Sequence, residues 1–171
     1  MTAPRIYVLG DSYSSIEHDP IFTWIEALSS THPVTCLGQN GASNEDILAQ
    51  VPDSWDVLLI SLSPLIRSPY INKLEIVRED EENMRANMRA AYKLTKLHNS
   101  YCWSTCTDYK TAPGIEYIQL GRMDELNLQD ETRKIGFPDE QFTGCHFTRE
   151  GNESIAEHMR NVIERVLKNE N

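Results

Sequence analysis

The sequence predicts an α/β fold, a three-layer α/β/α sandwich built on a five-stranded, mainly parallel sheet. Three observations lead there. Strand-like apolar runs alternate along the chain with segments of helical periodicity, as parallel strands joined by helical crossovers require. The run Val57-Leu58-Leu59-Ile60 is continuously apolar, as expected of a central strand covered on both faces. The 171 residues suit one domain with a sizeable core, and no repeat, low-complexity stretch or linker divides them. The expected organisation is a single domain over residues 1–171.

Strands are expected at Arg5–Leu9, Val34–Leu37, Val57–Leu62, Tyr101–Ser104 and Ile115–Leu120. Between the first two, Asp19-Pro20 reads as an N-cap followed by Pro at the first helical position. Ile21, Trp24, Ile25 and Leu28 then mark one helical face. Ser43 with Asp46 three residues later resembles a capping box, opening a short helix through Ile47 and Leu48. The acidic run Glu79–Glu82 leads into a helix whose Met84, Met88, Ala91 and Tyr92 form a core-facing stripe. Its acidic start and its Lys93 and Lys96 end suit the helix dipole. The last helix begins near Thr148 and carries Ile155, Met159, Val162, Ile163 and Val166 on one stripe. A sheet so connected places the loop after each strand on one edge, where ligands of open α/β folds bind. Ser12, Gly41, Ser63 and Cys106 are expected along that edge.

The formal charge is −10, with no Lys/Arg-rich run and no basic helix face. Nucleic acid and anionic membrane surfaces are therefore not expected partners. No stretch approaches the ~20 apolar residues of a membrane helix. The N-terminal segment has no signal-peptide pattern, so the expected compartment is the cytoplasm. The four cysteines, Cys36, Cys102, Cys106 and Cys145, lack the paired C-x-x-C spacing of zinc sites and read as reduced thiols. Glu17-His18-Asp19 are adjacent and cannot all face one ion on regular structure, so they read as a solvated loop. No metal and no organic cofactor is expected.

Two segments carry candidate chemistry. Gly10-Asp11-Ser12-Tyr13-Ser14 directly follows the first strand, and Cys145-His146-Phe147-Thr148 precedes the last helix. A serine hydroxyl is a weak nucleophile until a base takes its proton, and His146 has the side chain whose ordinary pKa suits that task. Ser12 also reads as a turn residue capping a helix, and His146 as a surface or satisfied core histidine.

Three blocks, in order and with matching spacing, resemble the SGNH/GDSL hydrolase superfamily. They are Gly10-Asp11-Ser12-Tyr13-Ser14, Leu37-Gly38-Gln39-Asn40-Gly41-Ala42-Ser43 and Cys145-His146-Phe147-Thr148-Arg149-Glu150-Gly151. The resemblance spans nearly the whole chain and implies a flavodoxin-like architecture. It also implies a serine esterase or acylhydrolase with a small-molecule ester substrate, such as an acetylated sugar, a lipid or another acyl compound. Ser12 would be the nucleophile and His146 the base. The backbone N–H groups of Ser12 and Gly41 would hold the oxyanion, and Gly41, lacking a side chain, lets its amide approach a substrate closely.

Two positions depart from the family pattern. The third oxyanion donor, an Asn, is replaced by Ser63 in Ser61-Leu62-Ser63-Pro64. A hydroxyl donates one hydrogen bond but reaches less far than an amide, and loss of one such donor typically costs ~10²–10³ in rate. Arg67 is a second candidate donor or a clamp for a substrate carboxylate, though it reads better as a surface charge. The family's Asp, three residues before the His, is here Thr143. Replacing the orienting Asp of a serine protease lowers turnover by ~10⁴. Thr143 brings a hydroxyl without charge; Asp139, Glu140 and Asp108 are the carboxylates that remain candidates to support His146, and Asp11 is a further supporting candidate.

These departures leave a second reading open, a catalytically impaired binding module for a carbohydrate or a protein partner. A third is a phosphate-cradling role for the serine-rich loop Ser12–Ser15, as in nucleotide or flavin binders. Tyr101 and Trp103 read either as pocket lining or as core.

Overall fold

The computed structural model describes residues 3–11, 14, 23–65, 81–105, 107–118 and 149–168. The chain forms β1 (Ile6–Leu9), α1 (Trp24–Ser29), β2 (Val34–Cys36), α2 (Asn44–Ala49) and β3 (Val57–Ser61). It continues through α3 (Glu81–Leu94), β4 (Ser100–Ser104), a 3₁₀ turn (Thr107–Tyr109), β5 (Ile115–Tyr117) and α4 (Arg149–Lys168). The five strands make one sheet in the order β2-β1-β3-β4-β5. Every pairing is parallel: Ile6 aligns with Val34 and with Val57, Leu58 with Ser100, and Cys102 with Ile115. The fold class and all five expected strands are thus present, each trimmed by a residue or more at one or both ends except β4, which starts one residue earlier.

Alternation along the strands divides the core into two layers. Val57 and Leu59 of β3, with Ile6, Val8 and Trp103, face α1 and α4, where Ile25, Leu28, Ile155, Met159 and Ile163 close the packing. Leu58 and Ile60, with Leu9 and Cys102, face Ile47 of α2 and Ala91 and Leu94 of α3. All five residues of β3 are buried, which explains its unbroken apolar run. Trp103 lies edge-on to Trp24 at 6.3 Å between ring centroids and is fully buried, so of its two readings it belongs to the core. Among the described residues no helix is long and apolar enough to cross a membrane.

Two helices differ from expectation. α1 starts at Trp24, and its N-cap is Thr23 rather than Asp19. Thr23 Oγ1 accepts from the Glu26 amide while the Glu26 carboxylate accepts from the Thr23 amide, so a reciprocal capping box fixes the start. Asp19, Pro20 and Ile21 lie outside the described residues. In α3 the buried stripe is Asn87, Ala90, Ala91 and Leu94, whereas Met88 and Tyr92 are exposed. The helix is rotated so that a polar residue, Asn87, points inward. The Ser43–Asp46 capping box of α2 is present as expected.

Candidate functional site

The strand order reverses between β1 and β3: the chain leaves β1 for β2 on one side, then crosses to β3 on the other. The crevice outside the carboxyl ends of β1 and β3 is where such sheets bind ligands. The residues there are tightly determined. Gly10 has φ +150°, and a Cβ on it would stand 2.8 Å from both the Cβ and the carbonyl oxygen of Ser61. The ends of β1 and β3 meet this closely because Gly10 has no side chain.

Past Gly10 the chain turns. The Ser14 amide donates to the Asp11 carbonyl at 2.9 Å, and both residues are buried. The Ser14 carbonyl accepts from the Cys36 thiol at 3.2 Å and sits against Gly38, where a Cβ would come within 1.8 Å of it. Glycine at position 38 is thus what lets the loop after β2 seat the turn after β1. The Gln39 amide adds a bond to the Gly10 carbonyl at 3.0 Å. Gly41 takes φ +79°, and among the described residues no heavy atom lies within 4 Å of where its Cβ would stand.

Ser63, after β3, is fully buried, and both of its main-chain groups are held by Asn44, the first residue of α2. The Ser63 amide donates to Asn44 Oδ1 at 2.9 Å, and Asn44 Nδ2 donates to the Ser63 carbonyl at 3.1 Å. Asn44 Nδ2 also donates to the Tyr109 hydroxyl at 2.7 Å, which in turn donates to the Ser63 carbonyl at 2.8 Å. Asn87 of α3 accepts from the Asn44 amide at 3.0 Å and donates to the Leu65 carbonyl at 3.1 Å. Asn44, Asn87 and Tyr109 are all fully buried. Asp108, one of the candidate carboxylates, is exposed and accepts from the Leu65 amide at 3.3 Å. The Ser63 and Ser14 hydroxyls are buried with no hydrogen-bond partner among the described residues.

The opposite layer reaches the same rim. The Trp24 amide, at the start of α1, donates to Asn152 near the start of α4 at 2.9 Å, and Asn152 is buried. α1 connects the carboxyl end of β1 to the start of β2, so its N-terminus lies toward the carboxyl edge of the sheet. Asn152 therefore fixes the N-terminal end of α4 to that edge.

The structure brings Asp11, Gly41 and Ser63 to one edge of the sheet. Ser12, Arg67, Cys106, Asp139, Glu140, Thr143, Cys145 and His146, like Glu17, His18 and Asp19, lie outside the described residues. Tyr101 stands apart from this edge. Its hydroxyl bonds to Glu116 of β5 and to His158 of α4, the latter at 2.8 Å, and burial with the Glu116 contact pushes its pKa well up. Asn44, Asn87 and Tyr109 escaped sequence reading. The signal that could have found Asn87 is its place at i, i+3, i+4 and i+7 with Ala90, Ala91 and Leu94.

No family model matches this chain, and no curated protein matches it. Solved structures do. A protein of Lactobacillus plantarum aligns over 96% of this chain and 98% of its own, at 12% identity and a TM-score of 0.57. A GDSL-like lipase from Bacteroides thetaiotaomicron aligns over 96% of this chain and 89% of its own, at 13% identity and a TM-score of 0.55. At such identities the likeness is one of fold: this chain shares the α/β fold, with a parallel five-stranded sheet, of a GDSL-like lipase.

Proposed function

We propose that the protein is a serine esterase or acylhydrolase of atypical site composition, acting on a small ester through a Ser12 acyl-enzyme. The observation that carries this reading is the room beside Gly41, with φ +79°, on the same sheet edge as the turn between Asp11 and Ser14. Gly41 is half-buried, and a glycine amide at that place suits an oxyanion site. The fold, shared with a GDSL-like lipase, supports it. So does α4, whose first residue, Arg149, is three residues after His146; three residues of chain span at most about 10 Å.

In this reading His146 takes the Ser12 proton as Ser12 Oγ attacks the ester carbonyl carbon. The Ser12 and Gly41 amides, with the Ser63 hydroxyl, hold the negative oxygen of the tetrahedral intermediate. His146 then gives the proton to the departing alcohol. Water, deprotonated by His146, attacks the acyl-enzyme and releases the acid, and Ser12 recovers its proton. Asp11, Asp139 and Thr143 are the candidates to support this pair.

The two departures, Ser63 and Thr143, favour the alternative of an impaired binding module for a carbohydrate or protein partner. A fluorophosphonate probe separates the two. Wild-type protein is expected to be labelled and to turn over a short-chain aryl ester, and Ser12→Ala to do neither. Folded wild-type protein that is not labelled and does not hydrolyse the ester overturns the enzyme reading.

A further inference from the structure

The buried amide clamp on Ser63 has a consequence for the site, resting on the hydrolase reading above. Asn44 occupies both the amide and the carbonyl of Ser63, and Tyr109 adds a second donor to that carbonyl. The hydroxyl is then the polar group of Ser63 left without a partner among the described residues, although it is buried. A buried hydroxyl with no such partner calls for an explanation, and a ligand oxygen is one. Asn44 is also only three residues beyond Gly41, at the start of the helix that the Gly41 turn enters. One side chain thereby sets the loop after β3 in register with the loop after β2.

We propose that Asn44 and Tyr109 are positioning residues that hold the Ser63 hydroxyl as an oxyanion donor in register with the Gly41 amide. A serine side chain is too short to search for the oxyanion by rotating, so its backbone must be placed for it. Two side chains meeting the Ser63 carbonyl, and a third bond to its amide, accomplish that placement. Neither residue touches substrate; both act through Ser63.

The test is a double-mutant cycle on ester turnover. Asn44→Ala empties a buried network and can unfold the protein, so Tyr109→Phe, which removes one hydroxyl and keeps the ring, is the working variant. Ser63→Ala is expected to lower kcat about 10²-fold. Tyr109→Phe is expected to lower kcat roughly tenfold through misplacement, with KM unchanged. In the Ser63→Ala background the same substitution should change kcat less than twofold, because the group it positions is gone. An equal loss in both backgrounds, a change in KM alone, or no loss at all overturns the proposal while leaving the hydrolase reading intact. A folded wild-type protein with neither turnover nor fluorophosphonate labelling overturns both.

Discussion

Gly38 and Gly41 lie in one loop and are glycine for different reasons. At Gly38 the obstacle is steric, since a Cβ would enter the Ser14 carbonyl at 1.8 Å. Backbone on both sides leaves nothing to yield, and Gly38→Ala is expected to destabilise by about 3 kcal/mol or more in urea unfolding. At Gly41 there is room, and the constraint is φ +79°. Gly41→Ala is expected to fold with a loss of about 1–2 kcal/mol, the left-handed penalty for a residue with a Cβ. Cys102 makes a different case. Burial pushes its thiol up to about 12 from an ordinary 9.0, against a smaller opposing effect of the Ser100 hydrogen bond. The folded state therefore favours the neutral thiol. Its contribution is complete below pH 9 and is lost as pH rises toward 12. Urea midpoints measured from pH 7 to 11 should fall at the alkaline end, and Cys102→Ala should fall less steeply.

α2 and α3 show how far local patterns carry. The Ser43–Asp46 box is a local signal with a local outcome, and reading it places the start of α2 to the residue. The Thr23–Glu26 box is equally local, but the Asp19-Pro20 pair competes with it as a start signal. α3 is a different matter. Its apolar residues lie on two overlapping stripes, and hydropathy alone selects the Met88–Tyr92 stripe. The helix instead turns Asn87 inward, because Asn87 is needed to bond Asn44 and Leu65 across the layer. Met88→Lys should therefore change stability by less than about 0.5 kcal/mol. Ala91→Leu, on the face packed against the sheet, should cost about 1–3 kcal/mol. Thermal melts of the two variants distinguish this rotation from the one the methionines suggest.

At the scale of the molecule, the two helical layers carry separate parts of the candidate site. α2 and α3 hold the loop after β3 through Asn44 and Asn87, while α1 and α4 are joined at the carboxyl edge by the Trp24–Asn152 bond. Asn152→Ala leaves the Trp24 amide without that partner in the interior, and a loss of about 1–3 kcal/mol is expected in thermal or urea unfolding. If α4 carries the His146 segment to this edge, the same variant should slow fluorophosphonate labelling by more than Met88→Lys does. The sequence by itself determined the fold class, the five parallel strands, the α2 cap and the order of the three motif blocks. Those follow from periodicities of two and 3.6 residues and from short motifs, all written in neighbouring positions. Only the tertiary structure decided which face of α3 is buried, why residues 10 and 38 must be glycine, and that Asn44 grips Ser63. Each of those depends on a bond or a collision between residues 19 to 51 positions apart, and a contact between distant parts of a chain leaves no periodicity to read.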